Sequence, residues 1–167
     1  MTTHTEPMIY RMAGHAMLVL FIGLVAGLFL TFSLLGAVAL WPLPGVDWQV
    51  PGSTRGWQAA HVGGILNGVM IAALALLAKN LPLTPRALTW CGWGLIYTGW
   101  GNTVFYWAGN LASNRGLSAG DTLFGAGDWI GALSYFGGAS AMFATFVAVI
   151  ILARAAFAQR SAIRVSA

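Results

Sequence analysis

Four long apolar segments divide the chain, at about residues 16–41, 57–78, 88–109 and 129–157. Each is long enough to cross a bilayer as a helix, which needs about 20 residues. Prolines, glycines and charged residues fill the stretches between them, as is typical of helix ends and turns. The pattern predicts an all-α integral membrane four-helix bundle that forms a single domain over residues 1–167.

The composition and charge agree with a membrane location. Hydrophobic residues make up 58% of the chain and charged residues only 7%, which an ordinary soluble domain does not show. The net charge of +4 comes from bases at the ends of the apolar segments, so it gives no reason to expect a nucleic-acid partner. The positive-inside rule then predicts an inner (cytoplasmic) membrane protein with both termini in the cytoplasm. The predicted inner side holds Arg11, Lys79, Arg86, Arg154, Arg160 and Arg164, and the outer side holds Arg55 and Arg115.

The second apolar segment carries an ionisable side chain, His61. An ionisable residue inside a membrane span suggests a functional site, and histidine is a common ligand of haem iron. Gly64 and Gly68 lie near the helix face of His61, where their bare surface would let a flat macrocycle lie beside the imidazole. Two other interpretations stay open, because small residues also serve helix packing and a buried histidine can simply donate to a carbonyl.

Polar side chains continue at matching depth on the third segment. Thr98, Asn102 and Tyr106 are spaced four apart and share one stripe of a helix. With the second and third helices antiparallel, Tyr106 comes near the level of His61, and Asn102 comes near that of Asn67. We expect these residues to form one site. Asn67 bridging two helices and Tyr106 anchoring the chain at the membrane interface are the alternatives.

The two other histidines are not expected to join this site. His15 lies toward the cytoplasmic end of the first segment and is interpreted as a membrane-interface residue, while His4 belongs to the terminal tail. A haem held by His61 alone would have an open sixth position. That arrangement disfavours an electron-transfer cytochrome, which fills both axial positions, and favours Lewis-acid chemistry at the open face.

At these motifs the sequence resembles the styrene-oxide isomerase family over most of its length. The motifs are Arg11-Met-Ala-Gly-His15, the stretch 50–61, Leu66-Asn67-Gly68, the stretch 99–106 and Asn114-Arg115-Gly116-Leu117. The resemblance implies a homotrimeric membrane enzyme with haem b at its subunit interfaces. It implies that His61 is the axial ligand and that Asn67 and Tyr106 position the substrate. The activity implied is isomerisation of aryl epoxides, such as styrene oxide to phenylacetaldehyde, beside a monooxygenase that makes the epoxide.

One position departs from the family pattern. The family has an aspartate immediately before the Gly-Trp pair of the third segment, where this chain has Thr98.

The resemblance leads to a hypothesis for the mechanism: ferric haem opens the ring as a Lewis acid, and a 1,2-hydride shift follows. Tyr106 and Asn67 are the main site residues of this hypothesis, and Thr98 and Asn102 are minor ones. A haem protein of another class, such as a cytochrome or sensor, and a haem-free transporter or assembly factor are the alternatives.

Overall fold

Four helices make up most of the part of the chain that the structure describes. The computed structural model describes residues 6–166, with side chains for residues 7–159, so His4 lies outside the described residues. The helices are α1 (Glu6–Leu35), α2 (Thr54–Lys79), α3 (Pro85–Leu111) and α4 (Trp129–Ser166). Between residues 6 and 166 the extended backbone is limited to two isolated bridges, Val38 with Val46 and Thr122 with Gly125. The predicted all-α bundle is thereby confirmed.

Three of the four helices in the described range are long and apolar enough to cross a membrane. The candidate spans are Pro7–Leu35, Thr54–Lys79 and Trp129–Gln159. Helix α3 is of similar length, but its Trp, Tyr, Gly, Asn and Thr residues lower its hydropathy. It contacts α1, α2 and α4, and its Thr98 and Asn102 side chains bond to α4 and α2. Large apolar side chains such as Phe21 and Phe143 are exposed on the outside of the bundle, as expected for a surface that faces lipid.

Helix α1 differs most from the predicted segments. It begins at Glu6 rather than near residue 16, and it ends at Leu35 rather than at Trp41. Gly36 follows with φ of 68°, and its N–H donates to the carbonyl of Phe32. A glycine in this left-handed conformation ends a helix without a steric cost, so the chain turns before the prolines are reached. At the other terminus, α4 continues past the predicted limit at residue 157.

Side-chain caps fix where the later helices begin. Ser53 Oγ accepts from the N–H of Gly56 at the start of α2, and Thr84 Oγ1 accepts from that of Ala87 at the start of α3. Asp128 Oδ1 accepts from the N–H of Gly131 at the start of α4. That hydrogen bond, with others from Ser113 and Ile130, holds the pKa of the Asp128 carboxyl below its usual value. The loops therefore enter each helix at a defined residue.

Glycines bring α1 and α2 into backbone contact. A Cβ added to Gly64 would lie 2.6 Å from Gly23 Cα, and one added to Gly68 would lie 2.8 Å from the Ala16 carbonyl oxygen. Both glycines are buried. The structure therefore corrects the prediction that Gly64 and Gly68 leave a bare surface for a macrocycle, because α1 covers that surface within the subunit. They serve the close packing of small residues that is common between membrane helices.

Gly64→Ala is expected to destabilise the bundle by about 1–3 kcal/mol, because its methyl group would force α1 and α2 apart. The measurement is thermal unfolding of the detergent-purified protein. Gly14→Ala is the matched control, since a Cβ at that helical position meets nothing within 4 Å. Both substitutions gain the same helix propensity, so equal melting temperatures for the two variants would contradict the packing role.

Candidate functional site

His61 lies on the side of α2 that faces α1. Its Nδ1 is 2.9 Å from the carbonyl oxygen of Gly23, and a Cβ at Gly27 would lie 2.7 Å from the same nitrogen. A carbonyl oxygen can only accept, so Nδ1 donates and carries the hydrogen. In the neutral ring, Nε2 is then left with a free lone pair. A histidine that binds a metal is usually held in this way, with the second ring nitrogen donating to a carbonyl or carboxylate.

A polar contact joins α2 to α3 on another face of α2. Asn102 Nδ2 donates to Asn67 Oδ1 at 2.9 Å, and Asn67 Nδ2 donates to the carbonyl of Gly63 at 2.7 Å. One turn nearer the start of α2, the Tyr106 ring packs on Gly63, where an added Cβ would lie 2.5 Å from Cζ. Asn67 is buried and its carboxamide bridges the two helices. Asn67 therefore fixes the position of Asn102 and the register of α3 against α2.

The Tyr106 hydroxyl is available for a ligand. Within the described residues it makes no hydrogen bond, and Tyr106 lines a cavity of about 510 Å³ between the start of α2 and the end of α3. The remainder of the ring is held by Gly63 on one side and by an edge contact with Phe105, whose centroid is 5.3 Å away. A fixed ring with an unpaired hydroxyl suits the positioning of a substrate oxygen.

Thr98 does not take part in this cluster. Its Oγ1 lies 2.9 Å from Thr145 Oγ1, and it donates to the carbonyls of Gly94 and Ala141. Thr145 and Ala141 belong to α4, so the Thr98 hydroxyl faces α4 rather than α2. Thr98 therefore joins α3 to α4, and its minor catalytic role stays a prediction.

Thr98→Val is expected to leave kcat/KM for an epoxide within about twofold of wild type, since the side chain does not face the cluster. It should lower stability by about 0.5–1.5 kcal/mol through loss of the hydrogen bond to α4. Steady-state turnover and thermal unfolding of the same sample test both statements. Thr89→Val is the control, because its hydroxyl donates only to Pro85 of its own helix. A large fall in turnover without loss of stability would support a catalytic role for Thr98.

His61 and the asparagine pair do not meet within one subunit. Their depths agree, since His61 and Gly63 differ by about 3 Å along the helix axis. Their directions differ, because residues two positions apart on a helix point about 200° away from each other. His61 accordingly faces α1, while Gly63 and Asn67 face α3. Within one subunit, His61 and the group formed by Asn67 and Tyr106 therefore lie on opposite flanks of α2 and are called two candidate half-sites.

His15 has a partner that the sequence interpretation missed. Trp100 Nε1 donates to His15 Nδ1 at 3.1 Å, and the two rings meet edge to face. The carbonyl of the next residue, Ala16, faces Gly68 in the middle of α2, so His15 lies inside the bundle rather than at a membrane interface. A tryptophan N–H within a membrane span needs a hydrogen-bond acceptor, so Trp100 was the sequence signal that could have identified the role of His15.

Asn110 was also missed. It continues the four-residue spacing of Asn102 and Tyr106 by one more step. Its Oδ1 accepts from the N–H and Oγ of Ser53, at 2.8 and 3.0 Å, and so connects the end of α3 to the start of α2. Its Nδ2 is buried and has no hydrogen-bond partner. The extended stripe on α3 was the signal that could have identified it.

The donor set suits a haem better than a metal ion held by the protein alone. Among the described residues, no three His, Cys, Asp or Glu side chains are grouped to hold a metal ion. A porphyrin supplies four nitrogens of its own, so a single histidine is enough to hold its iron. The free Nε2 of His61 meets that requirement. The small and apolar residues around the half-sites do not compete for the iron.

These features define an α-helical membrane protein with polar half-sites near one end of its bundle. Comparison with known proteins gives the family. The family model for styrene oxide isomerase matches residues 8–157. A styrene-oxide isomerase of Pseudomonas fluorescens is 37% identical over 118 residues, which cover 71% of this chain and 70% of that protein. The chain therefore belongs to the styrene-oxide isomerase family and is an isomerase.

Proposed function

We propose that the protein is a membrane-bound epoxide isomerase that converts aryl epoxides, such as styrene oxide, to aldehydes, such as phenylacetaldehyde. The name of the Pseudomonas relative supports the substrate class. Within the molecule, the proposal rests on two groups at the same depth of the bundle. His61 has a free Nε2, and Tyr106 has a free hydroxyl. We also propose an inner-membrane location, cytoplasmic termini and an epoxide-forming monooxygenase as the source of substrate.

His61 is the residue that would hold ferric haem b, through Nε2. When bound, ferric haem supplies a Lewis acid for the epoxide oxygen. The hydrogen bond from Nδ1 to the carbonyl of Gly23 keeps the imidazole in the required tautomer and orientation. The contact between the ring and Gly27 prevents rotation away from that orientation.

Tyr106 positions the substrate and stabilises the charge that develops. Its hydroxyl donates a hydrogen bond to the epoxide oxygen as the benzylic C–O bond breaks. The aryl ring of the substrate stabilises the resulting positive charge. A hydride then moves from the oxygen-bearing carbon to the benzylic carbon, and the oxygen forms the aldehyde. All atoms and electrons of the epoxide are retained in the product, so no external reductant or base is consumed.

The remaining residues hold the geometry and keep water away. Asn67 and Asn102 fix α3 against α2 so that Tyr106 stays at the level of His61. The surrounding apolar helices exclude water, which would otherwise trap the positive charge and give a diol. Because the two half-sites lie on opposite flanks of α2, we propose that they meet between subunits of a homotrimer. The apolar face of α2 between them, with Val62, Leu66 and Val69 exposed, is available for such contact.

Turnover of styrene oxide carrying two deuterium atoms on its terminal carbon tests the proposal. We expect phenylacetaldehyde with one deuterium on the aldehyde carbon and one on the neighbouring carbon, from protein whose visible spectrum and pyridine-haemochrome assay show haem b. Early loss of deuterium to water would contradict the hydride shift. A coloured protein without turnover would favour a cytochrome or sensor, and a colourless inactive protein would favour a transporter or assembly factor.

A further inference from the structure

The cavity beside Tyr106 is lined by two arginines, Arg55 and Arg115, and by Asn110. Within the described residues Arg55 makes no ion pair, and the Arg115 guanidinium carbon lies 4.1 Å from the centroid of the Phe124 ring without an acidic partner. Two unpaired guanidinium groups at one cavity suit a ligand with two anionic groups.

Two helix ends frame the cavity. Arg55 lies in the first turn of α2 and Asn110 in the last turn of α3, so opposite ends of two helix dipoles meet there and the positive charge comes from the arginines. The walls are otherwise small or aromatic, with Gly56, Ala59 and Phe105 among them. An uncharged aryl epoxide would leave both guanidinium groups without an anionic partner. The cavity therefore suits a ligand that combines a flat or apolar body with two carboxylates at one edge.

We propose that Arg55 and Arg115 bind the two propionate carboxylates of the haem whose iron is held by His61 of an adjacent subunit. This inference rests on the proposed function. Tyr106 lines the same cavity, so the carboxylates and the reacting face belong to one pocket. The partner's histidine is required because His61 of the same subunit faces α1, on the far flank of α2.

The test measures haem release rather than turnover. Purified holoenzyme in detergent is mixed with excess apomyoglobin, and the transfer of haem is followed in the Soret region. The Arg55→Gln/Arg115→Gln variant is expected to release haem at least about tenfold faster than wild type, since each charge-assisted hydrogen bond is substantial. Arg11→Gln/Arg86→Gln, with the same change of charge at the opposite end of the bundle, is the control and should release haem at the wild-type rate.

Reloading with haem dimethyl ester, which lacks the carboxylates, separates a direct contact from a structural effect. Wild type should release the ester at least about tenfold faster than haem, and the Arg55→Gln/Arg115→Gln variant should release both equally. Equal release of haem and ester by wild type would overturn the inference while leaving iron binding by His61 intact. The inference would also be overturned if the Arg55→Gln/Arg115→Gln variant lost a copurifying anionic phospholipid while its haem release stayed at the wild-type rate. Wild-type protein that binds no haem at all would overturn the proposed function itself.

Discussion

His61→Ala is expected to purify without haem and to lose styrene oxide turnover by at least about 100-fold, the scale of losing a main electrostatic contribution to catalysis. The physical reason is specific to this position. Nδ1 donates to the carbonyl of Gly23, so the lone pair of Nε2 is free to bind iron. No other described residue near the half-site offers such a lone pair. The measurements are the visible spectrum, the pyridine-haemochrome yield and turnover on one sample.

His15→Ala is the matched control for this substitution. His15 is also a histidine within a helix, but its Nδ1 accepts from Trp100 and it lies toward the other end of α1. That variant should keep its haem. Added imidazole should restore the haem spectrum of His61→Ala by filling the space that the side chain leaves, which excludes misfolding as the cause of the loss. An unchanged spectrum in His61→Ala would show that the iron is not held by this residue.

The depth of the site was predictable from the sequence, because depth along a helix depends only on the rise per residue and on where the helix begins. The bounds of α2 and α3 depend on Ser53 and Thr84, both common capping residues, and on Pro85 at the start of α3. These helix bounds and the rise per residue were enough to place Tyr106 at the level of Gly63, two residues from His61.

The direction of each side chain was not predictable in the same way. The three polar residues of α3 drift by about 40° at each step, and over two steps this drift is enough to move Thr98 onto the face that α4 covers. Which helix covers which face is decided by packing across the whole bundle. The glycines show the same limit: Gly64 is small enough for a cofactor or for a helix, and the structure places the backbone of Gly23 there.

The two half-sites impose a condition on any catalyst built from this chain. His61 and Tyr106 lie at one level but on flanks of α2 that a single subunit keeps apart. A cyclic assembly with head-to-tail interfaces brings the His61 flank of one subunit to the Tyr106 flank of the next. Each catalytic pocket then uses one residue from each of two subunits. Inactive variants of the two residues should therefore complement each other.

Coexpression of His61→Ala and Tyr106→Phe subunits is expected to restore activity that neither variant has alone. In randomly mixed rings, about one quarter of the interfaces combine a wild-type His61 with a wild-type Tyr106, whatever the number of subunits. Turnover of the whole coexpressed population should approach that fraction of wild type, and its haem content should approach one half, because half of the subunits keep His61. In trimers that contain both kinds of subunit, isolated by two different affinity tags, one interface in three should be active.

The control for this complementation is a mixture of the two variants purified separately, in which slow subunit exchange should leave the activity low. A second control is the double variant His61→Ala/Tyr106→Phe coexpressed with wild type. There the same quarter of interfaces is fully wild type if pockets lie between subunits, whereas half would be active if each pocket lay within one subunit. No recovery in the first pair, together with half activity in the second, would place the complete site inside a single subunit and contradict the assignment of His61 and Tyr106 to neighbouring chains.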